Sequence, residues 1–147
     1  MNTDKEIKRI ALEMCPNYAY GTPYYLNSVT DKMRRDRQMP ACLHIQTSEG
    51  TESTTSTPYW QAEMRTRRVQ VGFAEDIRFD QDPEKTLEKV EELLDMGREL
   101  VKRMNDSMLW AHINEFNYNV LYNTQDGNLV WVLLDFNATE LPGHCDK

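Results

Sequence analysis

An apolar stripe that starts at a proline sets the terms on which this chain can fold. Asp82-Pro83 reads as a helix start, because aspartate accepts from the first free amides and proline at the first helical position lacks only an N–H with no partner there. Leu87, Val90, Leu94, Gly97, Val101, Met104 and Met108 then recur at steps of three and four, with Leu93 and Leu100 widening the stripe. Glu88, Lys89, Glu91, Glu92, Asp95, Arg98, Glu99 and Lys102 take the other side. The predicted helix, 82 to about 105, spans about 35 Å at ~1.5 Å per residue, and its one-sided stripe demands an apolar floor of that length. Gly97 within the stripe gives up ~1 kcal/mol of helix propensity relative to alanine, which a close helix–sheet approach would offset.

The floor follows in the chain. Residues 116–122 and 129–137 read as two strands across Asp126-Gly127, a strong hairpin signal. Phe116, Tyr118, Val120 and Tyr122 share one face of the first, while Glu115, Asn117, Asn119 and Asn123 share the other. In the second, Val130, Val132, Leu134, Phe136 and Ala138 point one way, and Leu129, Trp131, Leu133, Asp135 and Asn137 the other. That second set is half apolar, more than a solvated sheet face needs, and an exposed Trp131–Leu133 patch marks a partner surface.

The N-terminal half supplies further strands. Thr3 and Glu6 fit a capping box ahead of Ile7, Ile10, Ala11 and Met14, one face of a short helix that Cys15-Pro16 ends. Residues 17–40 read as irregular and tyrosine-rich, with a short strand expected at 24–29 and a basic run at Lys32, Arg34, Arg35 and Arg37. Tyr24 and Tyr25 are candidate interface residues, since a large amphipathic ring is buried there at low entropic cost. Met39-Pro40 leads into a strand at 41–47, in which His44 lacks any partner close in sequence and reads as structural. Residues 48–58 contain no apolar side chain and read as a flexible loop, as 139–147 read as a C-terminal tail. Residues 59–79 hold one bent strand or two, with Val69, Val71 and Phe73 alternating around a Gly72 that suggests a bulge or close approach. Arg65, Arg67 and Arg68 on that strand read as edge charges or as pairs across a subunit interface.

Composition bounds the function. The 147 residues make one domain, and 24 acidic against 17 basic residues, net −7, disfavour duplex nucleic acid as the main partner. No apolar run reaches the ~20 residues of a membrane span. Cys15, Cys42 and Cys145 are an odd number without a C-x-x-C, so neither a disulfide framework nor a zinc site is expected. The chain carries no G-x-S-x-G, P-loop, G-x-G-x-x-G or H-E-x-x-H. No catalytic residue, cofactor or metal ligand is assigned, and the expectation is a non-enzymatic protein.

The order of elements carries a resemblance. A capped N-terminal helix leads to Met39-Pro40-Ala41-Cys42-Leu43-His44-Ile45, then a polar hairpin loop and the strand at 69–73. Phe79-Asp80-Gln81-Asp82 opens the long helix that ends Leu100-Val101-Lys102-Arg103-Met104-Asn105, and a β-hairpin closes the chain. This resembles the tail terminator and related tail-completion or neck proteins of long-tailed bacteriophages. The resemblance implies a structural virion protein, an α+β subunit forming a ring with itself, expected to be a hexamer. Such a ring would cap the tail-tube protein, meet head–tail connector proteins and let DNA pass through its lumen, with no membrane partner and no catalytic site. Another head–tail connector or tail-assembly protein is the neighbouring reading. A small ligand-binding α+β domain is the reading from a different class, and it would need a deep pocket lined by His44, His112 or buried carboxylates. The fold expected is therefore α+β: a mainly antiparallel sheet, a long amphipathic helix on one face and a short N-terminal helix.

Overall fold

The computed structural model describes residues 2–52, 65–77, 82–123 and 129–141. In chain order the elements are α1 (Thr3–Met14), β1 (Tyr18–Gly21), α2 (Pro23–Arg35), β2 (Ala41–Ile45), β3 (Gly50–Glu52), β4 (Arg65–Asp76), α3 (Pro83–Ser107), β5 (Asn117–Asn123) and β6 (Leu129–Thr139). The expected α+β architecture is present. The strands form one six-stranded sheet in the order β1-β2-β4-β6-β5, with β3 beside the start of β4. Only β1 and β2 pair in parallel; the other pairs are antiparallel.

β4 and β6 make the spine. Their register runs unbroken from Thr66 opposite Thr139 to Asp76 opposite Leu129, so Gly72 marks no bulge. The alternation of β6 sends Val130, Val132, Leu134, Phe136 and Ala138 into the core, joined from β4 by Val69, Val71 and Phe73. α1 and α3 lie on this face, burying Ile7, Ile10 and Ala11 from one and Val90, Leu93, Leu94, Leu100, Val101 and Met104 from the other. Asp82 caps α3 as expected, its carboxylate accepting from the Glu84 amide at 3.0 Å. At Gly97 the helix comes down hard on the sheet: a Cβ there would lie 2.7 Å from both methyls of the fully buried Leu134.

Several sequence expectations change. The tyrosine-rich 24–29 segment is no strand but the first half of α2, whose cap is Thr22 accepting from the Tyr25 amide at 3.4 Å. Leu26, Val29, Thr30 and Met33 are its inward face. The basic run at 32–37 is the last turn of that helix and the residues after it. α1 is capped by Asn2, accepting from the Lys5 amide, while Thr3 donates instead to buried Glu140 at 2.8 Å, so no capping box forms. Leu87 and Met108, counted in the α3 stripe, are exposed, and Met108 is the left-handed cap that follows the helix. The 48–58 loop contains β3, and β2 stops at Ile45. β6 runs to Thr139 and Glu140 is buried, so the C-terminal tail does not begin at 139. The turn expected at 126–127, the rest of the 48–58 loop and the first part of the 59–79 strand lie outside the described residues.

The contact at Gly97 gives a direct test. Gly97→Ala should lower the urea midpoint: intrusion into a full core costs ~1–3 kcal/mol, against a propensity gain of ~1 kcal/mol. Gly97→Val should lower it further, and an equal or raised midpoint for both would show that the helix has room to lift.

Candidate interaction surface

The two faces of the sheet are covered unequally. On the face opposite α1 and α3, helix α2 packs over β1, β2 and the end of β4, in a second cluster of Ala19, Leu26, Met33, Ala41, Leu43 and Ala74. This helix supplies the cover that the apolar second face of the sheet needs, but only over half its width. Trp131 lies at its margin, half-buried against that cluster, with its six-membered ring over Gly72, where a Cβ would be 3.2 Å from Trp131 Cε3. The close approach expected at Gly72 is therefore made by an indole ring.

Beyond Trp131 no described helix lies above the outer face. Leu133 is half-buried, and Leu121, opposite Trp131 in register, is 48% exposed. On its other face Val120 packs against the core, but Tyr118 and Tyr122 are 50% and 56% exposed. No described strand pairs with its outer edge. Natural edge strands are blunted by lysine, proline or bulges. β5 reads Asn-Tyr-Asn-Val-Leu-Tyr-Asn, without a charge or a proline, and its register with β6 is continuous. Tyr118, Leu121 and Tyr122 were missed as site residues; the missing signal was the lack of any charge in that strand.

The predicted site residues fall into separate groups. Trp131 and Leu133 belong to the uncovered half of the outer face. Tyr24 and Tyr25 stand in the first turn of α2, 85% and 52% exposed, beside edge strand β1, where the Tyr25 ring crowds Gly21. These are opposite flanks of the sheet. Arg65, Arg67 and Arg68 do not lie on an edge, because β3 and β6 flank them. Their charges are engaged within the chain: Arg65 and Arg67 approach Glu52 at 3.9 and 3.3 Å, and Arg67 also lies 3.9 Å from Glu140. Arg68 grips both oxygens of Asp135 at 3.1 and 2.6 Å and reaches Glu49 at 3.1 Å. Its guanidinium holds the Asp135 carboxyl below the usual carboxylate range.

His44 does have partners, brought from far along the chain. The Tyr18 hydroxyl lies 2.7 Å from its Nδ1. With the phenol as donor the ring proton sits on Nε2, which faces Asp4 Oδ1 at 3.5 Å without closing a hydrogen bond. Asp4 accepts from the Tyr20 hydroxyl at 2.5 Å and from the amide and hydroxyl of Thr47 at 3.2 and 2.5 Å. Burial, the largest single effect on the Asp4 carboxyl, raises it; His44, Thr47 and Tyr20 more than reverse this and hold it well below the usual carboxylate range. Burial and the Asp4 contact push the Tyr20 phenol up to about 12. His44 has no exposed surface, so the cluster is an anchor tying the first turn of α1 to the ends of β1 and β2.

An open groove of about 420 Å³ runs between α1 and α3, lined by Glu6, Arg9, Glu13, Arg103 and Asp106 but by neither His44 nor His112. Its cations are paired across it, Arg9 with Glu6 and Glu13, Arg103 with Glu13 and Glu99. Among the described residues, no group of three or more His, Cys, Asp or Glu is placed to hold a metal ion, and no helix is long and apolar enough to cross a membrane. No known protein-family model matches the chain, and no curated protein matches it either.

The Asp4 anchor predicts an acid-sensitive tie. A carboxyl whose folded value is depressed contributes stability that is complete above the ordinary carboxylate range and is lost as pH falls through and below it. Asp4→Asn should therefore cost ~1–3 kcal/mol at neutral pH, the worth of a hydrogen bond to a charged group. The difference from wild type should shrink in urea titrations as the pH is lowered. A difference constant with pH would mean that the charge of Asp4 contributes nothing.

Proposed function

We propose that this chain is a structural subunit that works by assembling with copies of itself into a closed ring, in the manner of a phage tail terminator or related neck protein. The observation that carries the reading is the placement of apolar surface left exposed or half-buried. Trp131, Leu133 and Leu121 lie toward one flank of the sheet, and Tyr24 and Tyr25 at the other. A contact that joins two different patches repeats from subunit to subunit, and it closes into a ring when the rotation per copy divides a full turn. The aromatic and leucine side chains are the residue types that carry the energy of such contacts, with Asn119, Gln70 and the Arg68–Asp135 pair as a polar rim.

In this reading the ring sits on the last ring of a tail tube, ends its growth and offers its other side to head–tail connector proteins. Its working parts are shape and apolar contact, with no bond made or broken. A net charge of −7 suits a lumen through which DNA passes, since anionic walls give phosphates nothing to bind. Light scattering and negative-stain electron microscopy of the purified chain should find closed rings. Leu133→Glu on one flank and Tyr24→Glu on the other should each open them. Added to polymerising tail-tube protein, the rings should stop elongation. A stable monomer at high concentration overturns the ring; rings that bind connector proteins but leave tube growth untouched would place the protein elsewhere in the neck.

A further inference from the structure

β5, whose outer edge pairs with no described strand, has a further property: reversed about Val120, its two tyrosines and its two end asparagines fall on like residues. Around Val120, Asn117-Tyr118-Asn119 precedes and Leu121-Tyr122-Asn123 follows. Laid antiparallel against a second copy with Val120 opposite Val120, the strand puts Tyr118 level with the other copy's Tyr122, and the same pair recurs on the far side of the two-fold axis. Asn117 falls level with position 123, and Asn119 with Leu121. All seven residues of the strand are matched. Shifting the centre by one residue to Asn119 or Leu121 leaves fewer pairs and breaks both tyrosine matches.

We propose that the outer edge of β5 is a self-recognition site that pairs with the same edge of a second copy, joining two sheets into one across a two-fold axis centred on Val120. Directly opposed side chains in an antiparallel pair share a face and lie close enough to pack, and aromatic pairs are among the most favourable. Here Tyr118, Val120 and Tyr122 of both copies would form one ladder on the helix-covered face, over about 24 Å of strand at ~3.4 Å per residue. The occupant is a second copy rather than an unrelated strand for two reasons. One register matches both tyrosine pairs and the two valines, and no charge on β5 opposes a like charge in the pair. Exposure also fits, since Tyr118, Leu121 and Tyr122 are each about half exposed while the inner edge of the same strand is paired to β6. This contact differs from the proposed ring contact, which shares Leu121 with it but otherwise uses the outer face and the β1 flank; the edge alone would give pairs, and with the ring it would join two rings.

The register makes a charge-swap test possible within one chain. Residues 118 and 122 lie on one strand too far apart to touch each other, so a charge pair between them forms only across the two-fold. By light scattering the wild-type chain should contain an even number of copies. Tyr118→Lys with Tyr122→Lys should halve the mass, and Tyr118→Lys with Tyr122→Glu should restore it. An odd-numbered or monomeric wild type, or equal masses for both variants, overturns the proposal. Should the lysine pair unfold by far-UV circular dichroism, Val120→Cys in a Cys145→Ser background decides instead. Oxidised glutathione should then produce an interchain dimer, and none forming overturns the contact. The ring contact is scored separately: Leu133→Glu should reduce a double ring to pairs, whereas the lysine variant should reduce it to single rings.

Discussion

The antiparallel ladder between β4 and β6 is the interaction on which the rest depends. It is the longest pairing in the sheet, and it brings together strands on either side of the long helix. Because both strands alternate strictly, one registration decides at a stroke which side chains face α3. Val71 and Phe73 meet Leu134 and Val132 on the buried side, and Gly72 meets Leu133 on the other. A slip by one residue would send every one of them to the wrong face. The helix records that registration in a single contact, the bare Cα of Gly97 against Leu134.

From that ladder follows the uneven cover of the domain. α1 and α2 lie toward the β1 and β2 side, α1 on the buried face and α2 on the opposite one, while α3 packs over β4 and β6. β5 is then added at the far side, where neither α1 nor α2 reaches. Among the described residues the outer face is covered only toward β1 and β2, which leaves the β5 side of the domain unfinished. The exposed side chains of β5, with Trp131 and Leu133 beside it, are the unfinished part, and the assembly readings begin from them.

Much of this was legible from residue order. The α3 stripe, its Asp82-Pro83 start, the inward residues of β6, the structural reading of His44 and the close approach at Gly97 all follow from period and local chemistry. α2 was not legible in the same way, since Tyr24, Tyr25 and Val29 have strand-like propensity and Thr22-Pro23 looks like a turn. The deciding pattern was the spacing of Leu26, Val29, Thr30 and Met33, with Thr22 as cap and Pro23 at the first helical position. Missing that helix made the outer face seem wholly uncovered. The roles of Arg65, Arg67 and Arg68 depend on which strands flank β4, and the bareness of β5 depends on strand order; neither is a local property. The same holds for Asp4 and His44, which meet only because α1 folds back over the ends of β1 and β2.

The strand order also dictates when the fold can form. The inner partner of both β4 and β5 is β6, the last strand described. As the chain leaves the ribosome, β4 can pair with β2 and β3, but α3 has only the β4 part of its floor and β5 has no neighbour until residues 129–139 have emerged. Until then Val69, Val71, Phe73 and the stripe of α3 must wait in a collapsed, incomplete state. An uncharged edge strand made just before its own partner is open to the wrong partner in that interval. β6 follows in sequence after only the short stretch 124–128, and it closes one of the two edges of β5.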